Sequence, residues 1–121
     1  MNLNELAKQI HKNAVNKGFY ENPKETGTLL MLIVSELGEA LEADRKNKHS
    51  DIKKFTELQF DFLGFENSFK QEIKDTFEDE IADSLIRILD LCAYKGIDIQ
   101  KHVELKMRYN STRPNKHGKS Y

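Results

Sequence analysis

Apolar residues recur every three or four positions along most of the chain, a repeat typical of amphipathic α-helices. Gly18 and Gly96 follow two of the periodic stretches and are natural helix stops. The pattern predicts four main helices, at roughly residues 3–17, 25–46, 71–95 and 98–110. Because no strand-like alternation of useful length interrupts them, the sequence predicts an all-α fold that resembles a four-helix bundle.

The stretch between the second and third predicted helices is rich in phenylalanine. Phe62, Phe65 and Phe69 keep the spacing of one helical face, which predicts an extra helical segment at roughly residues 52–69. Two interpretations are open. The rings pack on the bundle or on a partner subunit, which is the commoner role of an aromatic stripe, or they form a platform for a nucleobase.

Length and composition limit the class of protein. A chain of 121 residues predicts a single domain, 1–121. A net charge of −1 does not favour nucleic acid as a partner, and a single cysteine, Cys92, fits a reducing compartment. The longest apolar run, Leu29 to Val34, is too short to span a bilayer, and no signal pattern precedes it. We therefore expect a cytoplasmic protein with no membrane partner.

Glu36 breaks the apolar pattern of the second predicted helix. The centre of that helix's apolar stripe is formed by Leu29, Ile33, Leu37 and Ala40. Glu36 falls inside the stripe, and Glu39 lies at its edge one turn further on. Because an unpaired buried carboxylate is costly, two of them at a core boundary indicate a bound cation.

The third predicted helix carries a second acidic pair, Glu80 and Asp83. Its core stripe is predicted to consist of Phe77, Ile81, Leu85, Ile88 and Cys92. This places Glu80 and Asp83 on the polar flank with Arg87 and Asp90, where the pair alone would be solvated. If the two helices pack antiparallel, however, both acidic pairs converge on one cleft.

Four carboxylates form an oxygen-only site, which favours Mg²⁺, with Mn²⁺ as a substitute. A di-iron centre would require Glu-x-x-His, and no histidine of the chain has a glutamate three residues before it. The basic C-terminal region offers side chains that bind phosphates beside such a metal. An ordinary basic terminus is the alternative interpretation.

Three segments resemble the MazG-like family of all-α nucleoside triphosphate pyrophosphohydrolases. They are SELGEA at 35–40, EIAD at 80–83 and RPNKHGK at 113–119, and KGF at 17–19 resembles the family's first helix end. The resemblance implies a MazG-type core, Mg²⁺ as cofactor, and hydrolysis of an NTP or dNTP to the monophosphate and pyrophosphate. It also implies a homodimer or homotetramer.

The resemblance also assigns residues. The implied metal ligands are Glu36, Glu39, Glu80 and Asp83. Glu39 is the candidate catalytic carboxylate that orients or deprotonates the attacking water. The candidates for binding phosphates or ordering the tail are Lys106, Asn110, Arg113 and Lys119.

The chain departs from the family in two places. Ser35 stands where the family often has another acid, and the Phe-rich stretch lengthens the gap between the acidic pairs. These departures bear on the choice of substrate more than on the reaction. Two rival functions also stay open: a non-catalytic helical oligomeric binding module with a basic tail, and a catalytically inactive relative. The third predicted helix is apolar over more than half its circumference, so part of its apolar surface stays uncovered in a single chain. This predicts an oligomer, whichever of these functions the protein has.

Overall fold

The structure, a computed structural model, describes residues 1–120, except for the side chains of Phe62 and His117. Its α-helices are α1 (Leu3–Asn16), α2 (Thr26–Arg45), α3 (Ile52–Leu58), α4 (Gly64–Glu72), α5 (Phe77–Tyr94) and α6 (Ile99–Ser111). A π-helical turn, Gln59–Leu63, joins α3 to α4, and a 3₁₀ turn spans Asn115–Gly118. No strand occurs within residues 1–120, so the all-α prediction is confirmed.

The predicted helix stops are confirmed at both glycines. Gly18 and Gly96 adopt φ values of 86° and 68°, in the left-handed region where glycine has no steric penalty. Asn2 and Asp98 cap the N-termini of α1 and α6, accepting hydrogen bonds from the backbone N–H of Glu5 and Lys101.

The predicted third helix, 71–95, is wrong at its N-terminal end. Residues 71 and 72 belong to α4, and α5 begins only at Phe77. Thr76 Oγ1 accepts a hydrogen bond from the Asp79 N–H at 3.3 Å, and Asp79 Oδ2 accepts one from the Asp75 N–H at 2.9 Å. These capping bonds start a new helix, while the apolar repeat continues across the break and conceals it.

The chain forms two compact units. Residues 1–22 and 89–121 form one, residues 23–88 form the other, and α5 contributes to both. The single-domain prediction for 1–121 stays a prediction. In the first unit, Asn4 Nδ2 donates to Asp98 Oδ1 at 2.7 Å, and Gln100 Oε1 accepts from the Leu3 N–H at 3.0 Å. These bonds hold the start of α1 against the start of α6.

In the second unit, α3 and α4 form a short hairpin, which confirms the helical character of the Phe-rich segment. Lys54 of α3 pairs with Glu72 of α4 at 3.4 Å. Phe65 contacts both Phe55 and Phe69, with ring centroids 5.9 Å apart in each case. The side chain of Phe62 lies outside the described residues. The rings thus pack on one another, although Phe65 remains 62% exposed.

The predicted core stripe of α5 is wrong for three of its members. Ile81, Leu85 and Ile88 are exposed, whereas Glu80 and Ser84 are buried. The buried face in this part of the helix is therefore turned by about one residue from the predicted one. Because apolar residues cover more than half of the helix surface, the wheel alone could not identify the inner face.

No helix of the described residues combines the length and the apolar character that crossing a membrane requires.

Candidate metal centre

Three of the four predicted metal ligands meet in the second unit. Glu36 comes from α2, and Glu80 and Asp83 come from α5. One carboxylate oxygen of each lies within 4.8 Å of the others. We call Glu36, Glu80 and Asp83 the three-acid group. The predicted convergence of the two acidic pairs is thus present for these three side chains.

Glu80 is the most deeply buried member of the group. It is 6% exposed, and its Oε2 atom has no hydrogen-bond partner among the described residues. Taken alone, its position had predicted a solvated side chain on a polar flank, and that interpretation is wrong. A buried carboxylate oxygen without a donor is costly, so the position calls for a proton or a cation.

Glu39 lies one turn after Glu36 on α2 and is exposed. It is not a member of the three-acid group. Its carboxylate nevertheless acts on Glu80: burial, and then hydrogen bonding to Glu39 and Glu36, raises the pKa of Glu80 to about 8. At neutral pH, Glu80 therefore carries a proton that it shares with neighbouring acids.

The other two members of the group respond in opposite directions. Burial, and then the charges of Asp79 and Glu36, raises the pKa of Asp83. Burial alone would also raise the pKa of Glu36, but hydrogen bonds from Arg87 and Glu80 outweigh it, and the pKa is lowered. Glu36 is therefore ionised at neutral pH.

Arg87 is a site residue that the sequence reasoning missed. Its Nε atom donates to Glu36 Oε1 at 2.9 Å, and the two side chains are 40% and 13% exposed. The available signal was its spacing, because residues seven apart on α5, such as Glu80 and Arg87, lie on one face. Arg87 supplies part of the positive charge that Glu36 requires, but Glu80 Oε2 still lacks a donor.

A second acidic set shares Glu80. One oxygen each of Asp75, Asp79 and Glu80 lies within 4.8 Å of the others. Asp79 is half-buried, and its Oδ2 atom accepts the Asp75 N–H. Because this bond serves the start of α5, we assign the set a structural role.

The predicted phosphate-binding residues belong to the first unit. Lys106 Nζ and Arg113 Cζ lie 5.3 and 5.6 Å from the ring centroid of Tyr109. Both cations therefore contact the same aromatic ring. Asn110 is half-buried, and its Oδ1 atom has no hydrogen-bond partner among the described residues. The Lys119 N–H donates to the Lys116 carbonyl at 2.9 Å.

The first unit also contains a polar cluster around Asp90, which had been expected on a solvated flank. His11 Nδ1 lies 2.8 Å from Asp90 Oδ1, and the Tyr20 hydroxyl donates to Asp90 Oδ2 at 2.5 Å. The Tyr20 and Tyr94 ring centroids are 4.7 Å apart. These partners are far apart in sequence, so no local pattern could predict the cluster, which ties α1 and its connector to α5.

The three-acid group fits a hard divalent cation. All its donors are oxygens, and Mg²⁺–oxygen distances of about 2.1 Å place opposite ligands about 4.2 Å apart. Separations within 4.8 Å need only small side-chain adjustments to reach that geometry. The unpartnered Glu80 Oε2 is the atom that such an ion would satisfy.

Comparisons of the chain with family models, with curated proteins and with solved structures each found no match.

Proposed function

We propose that this protein is a Mg²⁺-dependent nucleoside triphosphate pyrophosphohydrolase with a MazG-type core. It cleaves an NTP or dNTP to the monophosphate and pyrophosphate. The observation that carries the proposal is the buried Glu80 Oε2 without a donor, inside a group of acids from α2 and α5. The sequence resemblance supports it independently, because the same residues fill its E-x-x-E and E-x-x-D positions.

The ligands of the ion would be Glu36, Glu80 and Asp83, with Glu39 completing the set. A bound Mg²⁺ supplies positive charge that offsets the charge developing on the phosphate oxygens. Glu80 has to release its proton to act as a ligand, whereas Arg87 keeps Glu36 ionised and oriented. Glu39 is exposed, so it is the carboxylate best able to orient the attacking water and take its proton.

The basic residues of the first unit have a supporting part in the proposal. Lys106, Asn110, Arg113 and Lys119 are the candidates for binding phosphates or ordering the tail. The cation–π contacts of Lys106 and Arg113 with Tyr109 support a common role for these two side chains. A cytoplasmic location is part of the same proposal, supported by the single cysteine, which is buried and free.

We also propose a homodimer or homotetramer. Four apolar side chains on one face of α2, each about half exposed, support it: Leu30, Val34, Leu37 and Leu41. Ile81 and Leu85 of α5 are likewise exposed. An apolar surface of this kind is typical of protein–protein contacts.

Pyrophosphate release tests the reaction. Pyrophosphate release from ribo- and deoxyribonucleoside triphosphates is measured with and without Mg²⁺ for three proteins: the wild type, Glu39→Gln and Asp83→Asn. We expect Mg²⁺-dependent release by the wild type and a loss of roughly a hundredfold or more in both variants, with the helical content retained. Glu57→Gln, which changes an exposed acid of α3, is the matched control. Unchanged turnover in both site variants, or no release from any nucleotide, contradicts the proposal.

One observation favours a second candidate, the non-catalytic binding module. Arg87 already pairs with Glu36, so the acids are partly neutralised by the protein itself. This alternative predicts no turnover and salt-sensitive binding of an acidic partner by the basic tail. A catalytically inactive relative would in addition bind Mg²⁺ weakly, which calorimetric titration measures.

A further inference from the structure

A cleft of about 380 Å³ lies beside the three-acid group, within the unit formed by residues 23–88. Phe65 and Phe69 of α4 line one part of it, Lys74 follows from the next turn, and Asp79 and Asp83 come from α5. Its volume falls in the range of small-molecule sites, about 300–1,000 Å³. Because Asp83 belongs to both the cleft and the three-acid group, a ligand in the cleft is in reach of an ion held by that group.

Lys74 is the cation of this cleft that is available to a ligand. Lys70 also lines the cleft, but it pairs with Glu66 one turn away on α4, at 3.1 Å. Lys74 forms no ion pair with any carboxylate that the structure describes, although four acids line the same cleft: Glu66, Asp75, Asp79 and Asp83. The positive charge of Lys74 is therefore available to an anionic ligand in the cleft.

The turn that carries Lys74 is fixed by its backbone. The Lys74 N–H donates to the Phe69 carbonyl at 2.9 Å, and Thr76 Oγ1 donates to the Ile73 carbonyl at 2.6 Å. Asp75 adopts φ 63°, a left-handed conformation that aspartate tolerates better than most residues. A cation on a fixed turn loses less conformational entropy when it binds a ligand than one on a mobile loop.

The proposed substrate needs such a cation. A polyphosphate in the cleft meets the negative charge of Asp79 and Asp83, which a divalent ion offsets only in part. A lysine ammonium group offers three donors and a compact positive charge to the remaining phosphate oxygens.

We propose that Lys74 binds the polyphosphate of the nucleotide, which occupies this cleft next to the three-acid group. The inference rests on the proposed function, because that function supplies the nucleotide. Lys74, in the turn before α5, would therefore bind phosphate within the same unit, residues 23–88, that carries the three-acid group.

Calorimetric titration of the full chain with Mg²⁺ and inorganic pyrophosphate tests the inference. We expect Lys74→Met to weaken pyrophosphate binding by about tenfold or more, and Lys74→Arg to restore most of it. Lys53→Met, which removes an exposed lysine of α3, is the control and should bind as the wild type does. Binding of Mg²⁺ alone should be unchanged in all three variants. Wild-type pyrophosphate affinity in Lys74→Met, or no pyrophosphate binding by the wild type, overturns the inference.

Kinetics separate this inference from the proposed function. If the wild type releases pyrophosphate from nucleotides, Lys74→Met should raise KM by about tenfold. If KM stays unchanged in that variant, the inference fails while the proposed function stands. If no nucleotide is turned over but Lys74→Met still loses pyrophosphate binding, the proposed function fails and the phosphate-binding role of Lys74 stands.

Discussion

Arg87 of α5 donates from Nε to Oε1 of Glu36 on α2 at 2.9 Å, which links the two helices that carry the acids. The pair is the protein's own compensation for a carboxylate inside an apolar stripe. The two buried carboxylates are thus compensated differently. Arg87 balances the negative charge of Glu36, whereas Glu80 is neutralised by a bound proton when no metal is bound.

Arg87→Met should destabilise the metal-free protein by about 1–2 kcal/mol, because Glu36 loses its partner while solvent screening limits the loss. The loss should shrink in saturating Mg²⁺, which replaces the missing positive charge. Urea unfolding followed by far-UV circular dichroism, with EDTA or with Mg²⁺, measures both values. Lys46→Met, which removes an exposed pair with Glu42, is the control and should cost about 0.5 kcal/mol or less. An equal loss with and without Mg²⁺ contradicts the prediction.

Glu80→Gln should change how stability depends on pH. Because the folded-state pKa of Glu80 is raised to about 8 from a reference of 4.5, the unfolded chain loses this proton first as pH rises. The metal-free wild type should therefore lose stability progressively between about pH 4.5 and 8. Glu80→Gln lacks this loss, so its advantage over the wild type should grow across that range. Urea unfolding in EDTA at pH 5.5, 7 and 8.5 tests this, and parallel curves for the two proteins contradict it.

Mg²⁺ binding should release a proton from Glu80. With its pKa at about 8, Glu80 is mostly protonated at pH 7, and a carboxylate ligand has to be ionised. The Mg²⁺ affinity should therefore rise with pH, by up to about tenfold per unit below pH 8. Titration calorimetry at pH 7 in buffers with different ionisation enthalpies counts the released protons. Binding heats that are independent of the buffer contradict the prediction.

Leu37→Glu should dissociate the proposed oligomer. Leu37 is 48% exposed in the middle of the apolar face of α2, and a charge there would be buried against a partner. Light scattering at micromolar concentration should show a smaller mass for the variant than for the wild type. Val15→Glu is the control, since Val15 has a similar exposure but lies on α1. A monomeric wild type contradicts the premise, and an unchanged mass of Leu37→Glu excludes this face as the contact.

The sequence was sufficient for the helices and for the nature of the site, and insufficient for the orientation of α5. Glu36 stood out because its neighbours at helical spacing on α2 are all apolar: Leu29, Ile33, Leu37 and Ala40. On α5, apolar residues surround most of the helix, and the burial of Glu80 depends on what packs against it. Arg87 was missed for a related reason, because its partner is 51 residues away. The start of α5 was also missed. It is set by the hydrogen bond between Thr76 and Asp79, but the apolar repeat continues through this point and shows no break.

The chain enters and leaves the α3–α4 hairpin at nearly the same place. The Phe77 N–H donates to the Lys48 carbonyl at 2.8 Å, and the Asp51 N–H donates to the Glu72 carbonyl at 3.4 Å. Since the two ends of this excursion are joined by hydrogen bonds, its length can change without moving the end of α2 away from the start of α5. The hairpin can thus be lengthened, shortened or exchanged, in evolution or by protein engineering. Such a change alters the surroundings of the acids while α2 and α5, which carry them, keep their positions.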